Sequence, residues 1–311
     1  MGVGRFVYTP ILPLMHAQAG LSAGSGADLA TANYIGYLVG ALVGILAPAL
    51  VRSPVLLRAS LIALTGSLAA MPATHGTAVW IVLRLLAGVA SALIFVIAVS
   101  SLHSHLREHP AHLPGWAFGG VGAGIALSGL LALALRSVAD WRAAWWASAA
   151  LAAVLTLASW NLRPEPAPAA TAERGRTAVD GPRIRTHRWF GVLFASYSLE
   201  GIGYIVAVGI ALPALVGGVA AALGSAVLFG ATFIGVSNLA LAAGAHLRFP
   251  RSVALLTAGY SVGQILGPLA VAPLLRHGCH QALILAAAVV LAAAAAAAVL
   301  RIGFPNRVGE R

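Results

Sequence analysis

The sequence predicts an all-α membrane protein, a polytopic bundle of about ten transmembrane helices. Of its 311 residues, 60% are hydrophobic and only 9% are charged, and the mean hydropathy is +0.91. Soluble domains carry roughly 25% charged residues, so this chain cannot cover a water-facing surface with polar groups. Apolar runs of about 20 residues recur along it, which is the length that a helix needs to cross a bilayer.

Ten apolar segments follow one another along the chain. They cover residues 1–21, 32–51, 55–74, 77–101, 115–136, 142–162, 189–212, 218–245, 252–275 and 280–301. Arginines are distributed unevenly between them: alternate connections and the C-terminal tail hold 14, whereas the opposite set holds only Arg136, Arg142 and Arg276. Because positive residues stay on the cytoplasmic side, we expect both termini to be cytoplasmic, in the multi-pass arrangement of a bacterial inner-membrane protein.

The longest connection divides the chain into two unequal parts. Residues 163–188 are rich in Pro, Ala and charge and have no periodic apolar face, which indicates a cytoplasmic linker. A six-helix bundle is predicted over 1–162, a four-helix bundle over 189–301, and a cytoplasmic tail over 302–311.

The net charge of +11 does not indicate a nucleic-acid partner. All nineteen basic residues are Arg, in a chain rich in Ala, Gly and Pro, a composition typical of GC-rich coding sequence. The one cysteine, Cys279, excludes an internal disulfide. No cleavable signal peptide is expected, because Arg5 is followed by Tyr8, Pro10 and Pro13 in place of an uninterrupted apolar run.

Small residues recur every fourth position in two segments, one in each part of the chain. GGVGAGIALSGLL carries Gly120, Gly124 and Ser128, and AGYSVGQILGPLA carries Gly259, Gly263 and Gly267. This spacing places small residues on one helix face and allows backbones to approach closely. We therefore predict helix packing at these glycines.

The two parts also share an order of motifs, and one interval is short. GVGRFVYTPILP near the start parallels GIGYIVAVGIALP at 201–213, and RLLAGVASALIFV (84–96) weakly parallels VLFGATFIGVSN (227–238). Parallel repeats of this kind build many secondary transporters. Gly4 and Gly88 are 84 residues apart, but Gly203 and Gly230 only 27. The shortfall of 57 residues corresponds to about two helices.

Six stretches in order resemble the YbfB-type branch of the major facilitator superfamily (MFS). They are GVGRFVYTPILPLM, ANYIGYLVGALVG, RLLAGVASALIFV, EGIGY, LFGATFIGV and GQILGPLAVAPLL. The resemblance implies a secondary transporter with six helices on each side of a central cavity. It also implies an MFS-like bundle of about 10 transmembrane helices, six and then four, instead of 12. The eighth helix, most of the ninth and the start of the first would be missing.

Glu200 is the only charged residue between Arg188 and Arg248. A carboxylate at membrane depth costs roughly 2.5–3.5 kcal/mol, so by default it faces a cavity and has a function. The functional interpretation is a proton acceptor, and the structural alternative is a carboxylate that ties helices together. The resemblance places Glu200 on the first helix of the second half, which lines the cavity.

Arg84 is the predicted counterpart of Glu200. Its motif RLLAGVAS resembles the fourth-helix Arg motif of the superfamily, which is linked to proton coupling. Because Arg does not release its proton, Arg84 would hold Glu200 or an anionic substrate. An interfacial position is the alternative.

Polar residues within the apolar segments complete the predicted site. The substrate-cavity candidates are Arg5, Tyr8, Thr9, Tyr34, Tyr204 and Gln264. For Arg5 an equal alternative is contact with cytoplasmic headgroups. The remaining polar residues, Asn33, Tyr37, Asn238 and Tyr260, are assigned to interhelical hydrogen bonds of about 0.6 kcal/mol each.

Other signals do not point to an enzyme or a cofactor. The histidines of HSHLREHPAH (103–112) and HGCH (277–280) lack the fixed geometry of a metal site, GGVGAG follows no strand, and no Walker A, GxSxG or HExxH motif occurs. We expect a proton-coupled transporter of a small solute, and Arg5 and Arg84 favour an anionic or zwitterionic one. The rival hypothesis is a non-transporting paralogue, a scaffold or sensor, in which lipid or a second protomer fills the open wall.

Overall fold

The computed structural model describes residues 1–105, 113–135, 139–164, 184–206, 218–247, 249–275 and 279–303. These residues are helical throughout apart from short connections, and no strand occurs among them. The helices of the first half are α1 Gly2–Phe6, α2 Tyr8–Ala19, α3 Ala23–Leu46, α4 Pro54–Ala73, α5 Thr77–His105, α6 Leu113–Leu135 and α7 Trp141–Ala158. Those of the second half are α8 Ile184–Val206, α9 Gly218–His246, α10 Ser252–Leu275 and α11 Cys279–Gly303.

The first predicted segment is a helix interrupted at Val7. The α1 helix ends at Phe6 and α2 begins at Tyr8. Pro10 has no amide hydrogen, so it cannot donate the helical hydrogen bond that the carbonyl oxygen of Phe6, four residues earlier, would otherwise accept. The two short helices together occupy the first predicted segment.

Two predicted boundaries are wrong. The second segment begins at Ala23 and not at residue 32, because Ser22 caps the helix by accepting a hydrogen bond from the Ser25 amide at 3.0 Å. The α8 helix begins at Ile184, so the last five residues of the predicted linker are helical. Residues 165–183, most of that linker, lie outside the described residues, as does the tail from residue 304.

Six helices in the described part of the chain are long and apolar enough to cross a membrane. They contain the spans Gly24–Leu46, Pro54–Ala73, Thr77–Leu102, Gly115–Leu135, Ser252–Ala270 and Ile284–Ile302. Large apolar side chains lie on their outer surfaces, such as Leu46 and Ile302 at 79% and 89% exposure, as expected where lipid replaces water. The chain is a membrane protein, and the total of ten crossings stays a prediction.

Glycines allow α3 and α5 to cross in backbone contact. A Cβ added at Gly36 would lie 2.1 Å from the carbonyl oxygen of Leu85, and one added at Gly88 would lie 2.2 Å from that of Asn33. Such distances fall far inside van der Waals contact, so neither position has room for a methyl group. The close contact with α5 determines which face of α3 is directed toward the centre of the molecule.

Two alanine substitutions are therefore expected to have opposite effects. Gly88→Ala forces α3 and α5 apart and should lower the free energy of unfolding by about 1–3 kcal/mol. Gly66→Ala on α4, where nothing lies within 4 Å of an added Cβ, should raise it by roughly 0.5–1 kcal/mol, because alanine favours the helix over glycine. Thermal melts in detergent measure both. Equal effects of the two substitutions would contradict the close crossing.

The small-residue faces pack as follows. Gly259, Gly263 and Gly267 lie against α8: an added Cβ would meet Ser198 Oγ at 2.4 Å, the Ser198 carbonyl oxygen at 2.4 Å and the Ile202 carbonyl oxygen at 2.7 Å respectively. Gly124 lies against α1, with its added Cβ 3.1 Å from the Cα of Gly2.

The prediction for Gly120 is wrong. Its surface is exposed, and nothing in the described residues lies within 4 Å of an added Cβ. The close contact of α6 with α1 is made instead by Gly124 and the carbonyl oxygen of Val121.

Candidate solute-binding cavity between the two halves

A narrow cavity of about 10 Å³, room for about one water molecule, lies where the two halves meet. Its lining residues from the first half are Met1, Arg5, Tyr37, Phe95, Phe118 and Val121. Those from the second half are Tyr197, Phe233, Ile234, Ser237, Thr257 and Tyr260. Half of these twelve side chains are aromatic, although Phe, Trp and Tyr make up only 7% of the sequence. The cavity is therefore an aromatic chamber with one charged side chain, that of Arg5.

Arg5 connects the two halves. It is only 4% exposed, and its guanidinium carbon lies 3.7 Å from the centre of the Tyr37 ring, close enough for a cation–π interaction. Its Nη2 donates a hydrogen bond to Oε1 of Gln264 on α10. Its Nε is buried and has no acceptor. The sequence-based alternative, contact with headgroups, does not agree with this buried position.

Arg84 lies behind Arg5, away from the cavity lining. It is 2% exposed, and its Nη2 donates to the backbone oxygen of Arg5 at 3.2 Å. The guanidinium carbon lies 4.9 Å from the centre of the Tyr8 ring. Its Nε and Nη1 are buried without acceptors. The backbone of Arg84 is itself fixed, because Asn33 Nδ2 donates to its carbonyl oxygen at 3.0 Å.

Two buried guanidinium groups thus share one region without a counter-ion among the described residues. The ionisable neighbours of Arg84 are Tyr8, Tyr34 and Arg5, and no carboxylate of the described residues is among them. A buried charge without an opposite partner is strongly destabilising. Sites that retain such a charge are usually functional.

Glu200 lies apart from the two arginines, on α8. Both of its carboxyl oxygens are buried and have no hydrogen-bond partner among the described residues, and the same is true of Ser198 Oγ two residues earlier. The helix around it is held by Ser196, whose Oγ donates to the carbonyl oxygen of Ala293 on α11 at 2.9 Å.

The predicted contact between Arg84 and Glu200 is absent from the described residues. The guanidinium of Arg84 is held within the first half by the backbone of Arg5 and the ring of Tyr8. The carboxyl group of Glu200 belongs to the second half and has no hydrogen-bond partner. The two side chains therefore form neither a hydrogen bond nor an ion pair with each other.

Of the remaining cavity candidates, Gln264 and Tyr34 lie beside Arg5. Gln264 is 3% exposed and bonds Arg5, and the Tyr34 ring centre is 6.0 Å from the Arg5 guanidinium carbon. Tyr8 is buried in the first half, with its hydroxyl donated to the carbonyl oxygen of Gly26 at 2.8 Å. The side chain of Tyr204 lies outside the described residues.

The prediction for Thr9 is wrong. Its side chain is exposed and does not line the cavity. The buried face of α2 carries Tyr8, Ile11 and Met15, so Thr9 points away from the interior.

Sequence reasoning underestimated the tyrosines. Tyr37 and Tyr260, assigned to helix packing, both line the cavity, and Tyr197 was not selected. Tyr197 donates its hydroxyl to Ser237 Oγ at 2.9 Å, and its ring centre lies 4.7 Å from that of Tyr260. The presence of aromatic residues in otherwise aliphatic segments is the sequence feature that could have identified these three tyrosines.

Within the described residues, no group of three or more His, Cys, Asp or Glu side chains could hold a metal ion. The histidine-rich stretch 103–112 lies mostly outside those residues, and His277 lies wholly outside them.

Comparison with known families gives one match. A family model described as "Uncharacterised MFS-type transporter YbfB" matches residues 1–208 and 205–299. The match therefore extends over both halves in two stretches that meet at 205–208, within the interval where the sequence is short. No curated protein matches the chain.

Proposed function

Since the chain belongs to the family of MFS-type transporters described as uncharacterised YbfB, we propose that it moves a small solute across the bacterial inner membrane by alternating access, coupled to protons. The two halves would rock about the aromatic chamber, which would open to each side in turn. Both termini and the 163–188 linker would face the cytoplasm.

The observation that carries this proposal is the chamber at the seam. Each half supplies six of its lining residues. The contacts that cross it are made by side chains. They include the hydrogen bond from Arg5 to Gln264, the edge contact of Phe6 with Phe233, whose ring centres are 5.9 Å apart, and the apolar packing of α3 on α10 and of α6 on α9. A seam of this kind can open without disturbing the backbone-to-backbone packing inside each half.

Glu200 supports the coupling to protons. Its carboxyl oxygens are buried without partners, so the protonated form is the one that low polarity favours. When the surrounding helices separate and water enters, the ionised form becomes accessible. A carboxyl group that alternates between these environments can take up a proton on one side and release it on the other.

The test is solute-dependent proton movement in vesicles. The purified full-length chain is reconstituted into liposomes that enclose a pH-sensitive dye, and small organic anions and zwitterions are added outside. We expect at least one of them to acidify the lumen in protein-containing liposomes and not in empty ones. If solutes bind to the detergent-solubilised protein, but neither the solutes nor protons enter the liposomes, the non-transporting scaffold or sensor is the better account.

A further inference from the structure

We propose that the solute is an organic monocarboxylate with an apolar body, whose carboxylate binds Arg5 while its body lies between the aromatic walls in the space that opens when the two halves separate. This proposal rests on the proposed transport function and names the substrate class for the same cavity. It follows from three features of the chamber: one charged lining side chain, aromatic rings in half of the lining, and two lining hydroxyls that are already donated in hydrogen bonds.

Arg5 is placed to receive one carboxylate. Its guanidinium borders the cavity, and its buried Nε has no acceptor. The neighbouring guanidinium of Arg84 adds a second positive charge to the same region and has no carboxylate beside it. Guanidinium groups bind carboxylates through two parallel hydrogen bonds, so an anionic head would satisfy donors that the protein itself leaves unpaired.

Gln264 occupies the position of that head in this structure. Its amide oxygen accepts from Arg5 Nη2, and an amide oxygen is a neutral and weaker acceptor than a carboxylate. Gln264 belongs to the second half, whereas Arg5 belongs to the first. An entering carboxylate would therefore displace a contact between the halves and take its place on Arg5.

The rest of the chamber selects an apolar body. Its ring-bearing walls include Phe95 and Phe118, whose ring centres are 6.0 Å apart, and Phe233 beside Tyr260 at 5.8 Å. The hydroxyl of Tyr197 is donated to Ser237, and that of Thr257 is donated to the carbonyl oxygen of Val253 at 2.7 Å. Since these two donors are already used and half of the lining is aromatic, a solute body gains most here from apolar contact.

Binding to the detergent-solubilised full-length protein tests the proposal, with benzoate, phenylacetate and hexanoate as probes. We expect at least one of them to bind by calorimetry, with its neutral amide and acetate each at least about tenfold weaker, because the amide lacks the charge and acetate lacks the body. The proposal is overturned if the amides bind as tightly as the acids, if acetate binds as tightly as the probes, or if none of the three probes binds.

Variants identify the site. Arg5→Gln should weaken binding of the best probe by at least about tenfold, whereas Arg58→Gln, on the outer side of α4 beside Trp160, should leave it unchanged. Gln264→Ala should strengthen binding about three- to tenfold, because the competing acceptor is removed. This second variant keeps the proposal testable if Arg5→Gln does not fold. Unchanged or weaker binding in Gln264→Ala would overturn the assignment of the head to Arg5.

The outcomes separate this proposal from the transport function. Probe binding without any flux in liposomes would remove the transport function and leave the anion site in place. Flux of other solutes by a protein that binds none of the probes would remove the substrate class and leave the transport function in place.

Discussion

Replacing Arg84 with methionine is expected to stabilise the protein and to abolish its transport activity. Arg84 is 2% exposed, and two of its three guanidinium nitrogens have no acceptor. Each unsatisfied buried donor costs about 1–3 kcal/mol, and removing an uncompensated buried charge ends that cost. We expect the apparent melting temperature in detergent to rise by about 3–6 °C.

Methionine suits the site because it leaves the local packing in place. Asn33 bonds the backbone oxygen of Arg84 and not its side chain, so this contact between α3 and α5 remains. The Tyr8 ring, now 4.9 Å from the guanidinium carbon, can pack against a thioether. What is lost is the positive charge and the hydrogen bond to the backbone of Arg5.

The loss of transport follows from these two contributions of Arg84. Without them, the backbone of Arg5 loses its hydrogen bond from Arg84, and one of the two positive charges in this buried region is removed. We expect solute flux in liposomes to fall by at least about 30-fold, the factor that corresponds to ~2 kcal/mol.

Arg58→Met is the matched control for Arg84→Met. The Nε of Arg58 donates to the carbonyl oxygen of Trp160 at 3.3 Å, and neither residue lines the chamber. This substitution should lower the melting temperature slightly and leave transport unchanged. A lower melting temperature in Arg84→Met, with transport retained, would mean that Arg84 is only a structural tie.

Replacing Glu200 with glutamine is expected to separate transport from the proton gradient. Glutamine has the same shape and cannot change charge. Because the carboxyl oxygens of Glu200 have no partners in the described residues, the substitution breaks no hydrogen bond that the structure contains. We expect uptake driven by a pH gradient to fall by at least about tenfold, while exchange of solute across the membrane without a gradient continues.

Asp28→Asn provides the control for Glu200→Gln. Asp28 is exposed near the start of α3, so neutralising it removes one negative charge without touching the seam. Its uptake should match that of the unmodified protein under both conditions. Unchanged gradient-driven uptake in Glu200→Gln would remove Glu200 from the coupling.

The sequence predicted the buried charges well, because their energetic cost is a local property. Arg5, Arg84 and Glu200 stand out in apolar segments, and a charge in such a segment needs a protected environment wherever the helix packs. The all-helical membrane fold could also be predicted, since apolar run lengths are set by the bilayer.

The contacts between these residues could not be predicted in the same way, because they depend on how helices cross. The partner of Arg84 is the backbone of Arg5 and not Glu200, a result of the placement of α1 against α5. Tyr37 faces the chamber because Gly36 and Gly88 fix the crossing of α3 and α5. The sequence shows which residues share a helix face, but it does not show which neighbouring helix that face packs against.

The account depends most on the claim that the chamber at the seam is reached from each side of the membrane in turn. Ser237→Cys in a Cys279→Ser background places a single thiol in the chamber lining. Reaction with a membrane-impermeant maleimide is then measured in right-side-out and in inside-out vesicles. Ser148→Cys, on α7 and fully buried within the first half, is the control and should react in neither. We predict that the thiol at 237 reacts in both orientations; reaction in only one orientation, or in neither, would contradict alternating access.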